Sequence, residues 1–121
     1  MSHPFTSLEG RQFLRLTTFR KSGEGVPTPV WFASLDGALG VFTSAGAGKV
    51  KRLRREGRVL IAPCTFKGRL KGPEQEARAR LVDGEAAARV HAALDAKYGW
   101  MFRMVTRRRP DHAYIEIIPA G

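Results

Sequence analysis

Cysteine is almost missing from this chain, in which Cys64 is the only one among 121 residues. A lone cysteine excludes a disulfide within the chain, so noncovalent packing must hold the fold together. Also missing are an apolar run long enough to cross a membrane as a helix and, after Met1, the basic and apolar regions of a signal peptide. These absences make a cytoplasmic protein the expectation.

Acidic residues are scarce as well. Eleven aspartates and glutamates stand against 21 lysines and arginines, which gives a formal net charge of +10 at pH 7. Such an excess favours anionic partners, among them nucleic acid, phosphorylated metabolites and cofactors with acidic tails. The charge alone does not choose among these three classes.

The length of the chain fits one domain over residues 1–121. Apolar and polar residues alternate in short segments separated by Gly, Pro and Asp, which is typical of antiparallel strands. Six such segments with few helical interruptions predict a small, mainly β barrel with helices, an α+β fold. The predicted strands cover residues 13–19, 26–34, 38–43, 58–65, 75–82 and 112–119, and the predicted helices cover 4–12 (capped by Thr6 or Ser7), 49–55, 84–97 and 98–108.

The segment 38–55 combines a strand, a loop of small residues and a helix that begins with cations. Glycines in the loop let the backbone approach a ligand closely, and the free N–H groups of a helix start attract anions. Lys49 and Arg52 lie three residues apart and share a helical face near that start. The segment therefore predicts a phosphate site, with a solvated basic helix as the alternative.

This segment is not a nucleotide-binding P-loop. That motif requires a glycine five residues before Gly48, where Thr43 stands, and a serine or threonine after the lysine, where Val50 stands. A kinase or ATPase is therefore a poor interpretation.

Four segments resemble the split β-barrel flavin and deazaflavin oxidoreductases, which are related to pyridoxamine 5′-phosphate oxidase. The similarity covers about residues 13–119, and within the family it is greatest to the branch that uses the deazaflavin coenzyme F-420. The segments that carry it are the hairpin 20–32, the turn and helix 42–54, the strand 59–64 and the late-helix sequence Lys97-Tyr98-Gly99-Trp100.

The resemblance implies a homodimer that holds its cofactor in a groove between two barrels. It places the cofactor ring against the strand backbone at Pro29, Val30 and Trp31. It assigns the phosphodiester to Thr43, Ser44, Lys49 and Arg52, although the two hydroxyl groups could instead cap the helix locally. Cations for the negatively charged oligoglutamate tail of F-420 would be Lys51, Arg54, Arg55, Lys67, Arg69 and Lys71.

The activity that the resemblance implies is hydride transfer between F-420 and a small unsaturated or conjugated substrate, such as a quinone or a tetrapyrrole. No side chain is assigned as a catalytic acid or base, because the protein would mainly position and shield the reactants. Alternatives are an FMN-dependent enzyme of the same fold, a carrier that binds the cofactor without chemistry, and a basic nucleic-acid-binding module. A module of that last kind would bind DNA or RNA with a steep dependence on salt.

Several single residues have simpler interpretations. Trp31 and Phe32 point to opposite faces of their strand, so one is expected in the core and the other at the ring or at a dimer contact. Tyr98 and Trp100 are expected in the core rather than closing a partner's pocket. Cys64 is expected to be an inert buried thiol. The three histidines lack metal-site spacing and receive no ligand role; they are His3, His91 and His112.

Overall fold

Alternating apolar residues build six antiparallel strands that close into a barrel in the computed structural model, which describes residues 5–108 and 111–120. Neighbouring strands follow the order β1-β2-β3-β6-β5-β4, and β1 closes the barrel by pairing with β4. The predicted fold class is confirmed. The strands are β1 Phe13–Phe19, β2 Gly25–Leu35, β3 Ala38–Ser44, β4 Arg58–Cys64, β5 Gln75–Val82 and β6 His112–Pro119.

The barrel interior is filled by every second residue of each strand. Leu14 and Leu16 of β1, Val41 of β3 and Ile61 of β4 are all fully buried there. Burial of such side chains is worth about 1.5–3 kcal/mol each relative to exposure. Because the side-chain period is two, the residues between them lie on the outer face of the barrel, where a ligand can reach them.

Three helices cover parts of the outside. They are α1 Gly48–Arg55, α2 Gly84–Tyr98 and α3 Trp100–Arg108. In α2, Val90 and Leu94 are fully buried in a second apolar cluster on the outer face of β2, β3 and β6. The helix can lie this close because Gly40 of β3 has no side chain: a Cβ there would stand 2.8 Å from Cγ1 of Val90.

The predicted helix over residues 4–12 is wrong for the part that the structure describes, since residue 4 lies outside it. Only a single 3₁₀ turn forms, at Thr6–Leu8, and its cap position is Phe5, with no side-chain capping bond. Gly10 has a φ of 73°, which a helix cannot continue through. The segment instead folds against the barrel, where Phe5 and Leu8 are each 2% exposed.

The other predicted elements form, with their ends within two residues of the expected positions. Asp83 stands at the cap position of α2, although its side chain makes no capping hydrogen bond. Within the described part of the chain, no helix has the length and apolar character needed to span a membrane.

Candidate functional site

An open cavity of about 310 Å³ lies on the outer surface of the barrel, where β2 and β3 meet the start of α1 and the β4–β5 loop. Its volume is at the lower end of the range for small-molecule sites. One side of it is aromatic and the other is polar. The lining residues are Phe13, Pro29, Val30, Trp31, Phe42, Thr43, Ser44, Lys49, Phe66, Val105 and His112.

The aromatic side is made of rings that contact one another. Trp31 lies 6.1 Å from Phe42, centroid to centroid, and Phe13 lies 6.4 Å from Phe66. Trp31 also stacks on Tyr98 behind it, which fixes the orientation of the indole. Fixed aromatic walls of this kind fit a flat conjugated molecule.

The polar side is built by Lys49 at the start of α1. Its Nζ donates a hydrogen bond to Oγ1 of Thr43 at 3.3 Å. Burial, with a smaller contribution from the Arg52 charge, lowers the pKa of Lys49. No ion pair joins either cation to a carboxylate within residues 5–108 and 111–120. An anion bound here would supply the missing negative charge.

Arg52 supports this end of the cavity from behind. Its Nε donates to Oγ1 of Thr18 at 2.6 Å. The guanidinium occupies the space beside Gly48, where an added Cβ would lie 2.8 Å from Nη1. The cap position of α1 is Ala47, which has no side chain to satisfy the helix N–H groups. Gly48 therefore makes room for the Arg52 guanidinium, and the uncapped helix start leaves N–H donors for a ligand.

Six of the eight residues predicted for the cofactor line this cavity together: Pro29, Val30, Trp31, Thr43, Ser44 and Lys49. Two do not. Arg52 is bonded to Thr18 beside the cavity, and Lys51 is exposed outside its lining. Neither Thr43 nor Ser44 makes a side-chain capping bond to α1.

The ambiguity between Trp31 and Phe32 is resolved, because Phe32 is buried in the barrel and Trp31 lines the cavity. Tyr98 is in the core as expected, at 5% exposure. The expectation of a buried Trp100 is wrong, since its side chain is 66% exposed. The chain turns at Gly99, which has a φ of 61°, and α3 then buries Phe102 instead.

His112 is a cavity residue that the sequence did not reveal. Its Nε2 is buried without a hydrogen-bond partner in the described structure, and its ring lies 5.7 Å from that of Phe42. Burial, opposed by Asp111 and aided by His91, lowers the pKa of His112, which favours the neutral imidazole. His112 reaches the cavity because it pairs with Ser44 across β3 and β6. Sequence reasoning missed it because this pairing is known only once the strand register is known.

The remaining single-residue expectations concern the other histidines and the thiol. His3 lies outside the described residues, and His91 Nδ1 lies 2.7 Å from the hydroxyl of Tyr114. In the part of the chain that the structure covers, no three His, Cys, Asp or Glu side chains group as a metal site. Cys64 is buried as predicted, and that burial, partly offset by Arg15, raises the pKa of its thiol.

Comparison with known proteins places the chain among relatives of the same architecture. A family model described as pyridoxamine 5′-phosphate oxidase matches residues 5–121. No curated protein sequence matches the chain.

Three solved structures illustrate the range of these relatives. HutZ, a heme storage protein of Vibrio cholerae, is 19% identical over 93% of this chain and 84% of its own, with a TM-score of 0.74. The conserved hypothetical protein Rv2991 of Mycobacterium tuberculosis is 24% identical over 100% of this chain and 82% of its own, also with a TM-score of 0.74. An FAD-binding protein of Mesorhizobium loti is 16% identical over 95% of this chain and 86% of its own, with a TM-score of 0.63. At these identities the similarity shows the shared fold alone.

Proposed function

Because this chain belongs to the pyridoxamine 5′-phosphate oxidase family, we propose that it is an oxidoreductase that uses the deazaflavin coenzyme F-420. Its reaction is hydride transfer between that cofactor and a small unsaturated or conjugated substrate. The observation that carries this proposal is one cavity in which the aromatic wall of Trp31 and Phe42 meets the unpaired cation of Lys49. A flat ring system joined to a phosphate is the chemistry that such a cavity accepts.

The residues present fit that cofactor. The backbone of Pro29, Val30 and Trp31 would lie along the ring. Lys49, with the N–H groups at the start of α1, would hold the phosphodiester. Arg52 would act from behind by fixing the helix start through Thr18. Lys49 keeps the phosphate role that the sequence predicts, whereas Arg52 is proposed to support the phosphate site rather than to contact the phosphate, and Lys51 is left for the tail.

The positive charge of the chain favours F-420 over FMN. The oligoglutamate tail of F-420 carries several negative charges that FMN lacks, and the chain carries a net charge of +10. In the described structure, none of the cations predicted for the tail belongs to an ion pair. These cations are Lys51, Arg54 and Arg55 on α1 and Lys67, Arg69 and Lys71 in the β4–β5 loop.

The cofactor, when bound, supplies the ring carbon that gives or receives the hydride. The chain's own residues bind, orient and shield. Phe13 and Phe66 form an apolar edge that limits water at the ring, and Trp31 is held rigid by Tyr98. No side chain is assigned as a catalytic acid or base, so the rate would depend on positioning.

A homodimer is part of the proposal. Trp100 and Met104 lie four residues apart on α3 and are 66% and 45% exposed. Phe66, beside the cavity, is 65% exposed. A second copy that covers these side chains would bury apolar area that a barrel of this size leaves in water. Light scattering coupled to size-exclusion chromatography should give twice the mass of 13.4 kDa.

An FMN-dependent enzyme is the second candidate, because the same aromatic wall and the same cation would accept flavin and one phosphate. An FAD-binding protein among the structural neighbours supports a flavin-type ligand for the fold. A purified protein that is yellow with bound FMN would favour this candidate.

The proposed activity is tested by a single-turnover reaction. Protein loaded with reduced F-420 is mixed with a quinone such as menadione, and reoxidation of the cofactor is followed by absorbance. An enzyme speeds reoxidation above the rate of free reduced F-420. A carrier that binds the cofactor without chemistry leaves it at or below that rate.

A further inference from the structure

A second, basic groove of about 790 Å³ opens beside the aromatic cavity. The two share Phe66, which lines both. A smaller hollow of about 190 Å³ also connects Arg15 and Lys67 with Pro29, and Pro29 belongs to the aromatic cavity. A molecule that lies on the ring-binding wall can therefore extend into this groove without leaving the surface.

Arg15 forms the floor of the groove. It stands on the outer face of β1, opposite Pro29 of β2 and Ala62 of β4. Its Nε is buried and has no hydrogen-bond partner within the part of the chain that is described. No ion pair there includes Arg15. A buried guanidinium N–H without an acceptor is costly, so the site is built for an acceptor that the chain does not provide.

Lys67 and Arg69 add two further cations on a loop that is held in place. Thr65 fixes this loop: its N–H donates to the carbonyl of Arg69 at 2.9 Å, and its Oγ1 accepts from the N–H of Arg69 at 3.1 Å. Gly68 makes the turn with a φ of 87°. No described ion pair includes Lys67 or Arg69, and no acidic residue lines the groove. Three cations therefore face one space with no internal counter-charge.

We propose that this groove is a carboxylate-binding subsite for the substrate, so that the substrate is a conjugated compound with an acidic side chain. This inference rests on the proposed function for the position of the reacting ring. Arg15 binds the carboxylate, since a guanidinium fork pairs with it through two N–H groups. Lys67 and Arg69 hold the same charge from the loop, so this proposal reassigns them from the cofactor tail to the substrate and leaves Lys51, Arg54, Arg55 and Lys71 for the tail.

The test uses a matched pair of probes: a menadione that carries a propanoate side chain, and its methyl ester. Both are titrated into F-420-loaded protein by calorimetry. The wild type should bind the acid at least about tenfold more tightly than the ester, the size of one charge-assisted contact. Arg15→Gln should reduce this ratio to below about threefold. Arg89→Gln, which removes an exposed cation on α2, should preserve it.

The carboxylate could also belong to the cofactor tail, so a second arm compares F-420 with the same deazaflavin phosphodiester lacking its glutamates. Loss of affinity in Arg15→Gln for the tailed form alone, with the acid-to-ester ratio unchanged, would overturn the substrate assignment. An unchanged ratio and unchanged tail affinity would also overturn it. So would dissociation of a dimer by Arg15→Gln, because the guanidinium would then belong to a subunit contact.

Failure of the proposed function is separable from failure of this inference. If the wild type binds neither F-420 nor FMN, the proposed function is refuted. The acid-to-ester affinity ratio, measured on unloaded protein, still tests whether the groove binds a carboxylate. If Arg15→Gln does not fold, the double variant Lys67→Gln/Arg69→Gln replaces it. Both residues lie in an exposed loop, and the same fall in the ratio is expected.

Discussion

Tyr98 stacks on Trp31 with ring centroids 4.5 Å apart and planes inclined by 10°. Its hydroxyl accepts a hydrogen bond from the N–H of Phe32 at 3.1 Å and lies 2.6 Å from the carbonyl oxygen of Gln12, to which it can donate. The last turn of α2 thus reaches both β2 and the segment before β1. Because Trp31 lines the cavity, the wall of the candidate site is fixed by a core residue that does not touch the cavity itself.

Removing this hydroxyl should destabilise the protein. Tyr98→Phe leaves the ring but loses the hydrogen bonds at a buried position, and we expect the free energy of unfolding to fall by about 1–3 kcal/mol. Urea denaturation measures it. Tyr114→Phe is the control, since its hydroxyl contacts His91 near the surface, and its loss should be smaller. Equal losses of unfolding free energy in the two variants would show that the buried hydrogen bonds of Tyr98 stabilise the protein no more than the Tyr114 contact does.

A methyl group at Gly40 should disturb the packing of α2 on β3. The new Cβ would stand 2.8 Å from Cγ1 of Val90, a stiff β-branched side chain, so we expect Gly40→Ala to lower the free energy of unfolding by about 1–3 kcal/mol. Gly46→Ala should be nearly neutral, because nothing lies within 4 Å of its Cβ. Adding Val90→Ala to Gly40→Ala should cost less than the two changes separately, and strict additivity would contradict the clash.

Lys97 should make the free energy of unfolding depend on pH in the alkaline range. Its Nζ donates to the carbonyls of Arg11 and Phe32, and burial lowers the pKa of Lys97 to about 8 from 10.5. Between these values the unfolded chain binds the proton and the folded chain does not, so stability rises with pH over this window. Below pH 8 both states are protonated and the contribution is constant.

The measurement is the difference in unfolding free energy between the wild type and Lys97→Met at pH 7, 8, 9 and 10. The difference should move in favour of the wild type above about pH 8. A difference that stays flat, or that moves against the wild type, would contradict a lowered pKa.

Lys49 should dominate the binding of the cofactor phosphate. Lys49→Ala removes the partly buried cation of the cavity, and we expect affinity for F-420 to fall by about 1–3 kcal/mol, the range for a lost charge-assisted contact. Lys21→Ala, an exposed lysine in the β1–β2 turn, is the matched control for net charge. Equal losses in the two variants would mean that the effect is general electrostatics rather than a contact.

The barrel could be predicted from the sequence because its signals are local. Strands such as Phe13–Phe19 and Gln75–Val82 alternate over their central residues, and the bounds predicted for both agree with the structure. The short helix over 4–12 could not be excluded in the same way. Its residues can form a helix, and the tertiary burial of Phe5 and Leu8, together with the turn at Gly10, decides against it.

The candidate site was also predictable only where its residues are close together in the sequence. Gly48, Lys49 and Arg52 lie within five residues, so the cationic end of the candidate site could be predicted from the sequence. The aromatic wall and His112 come from segments that meet only through strand register and loop placement. Phe66 lies in a loop with no periodic signal, and Arg15 looks like any polar residue of an alternating strand until its neighbours are known.

The most direct test of the central claim is a pair of equilibrium titrations, F-420 and FMN separately, into purified wild-type protein at physiological salt. The account predicts micromolar or tighter binding of F-420, weak binding of FMN, and loss of F-420 affinity in Lys49→Ala. The reverse preference would contradict the F-420 assignment and favour an FMN enzyme. If neither ligand binds, the cavity lined by Trp31 and Lys49 is not a cofactor site of this kind.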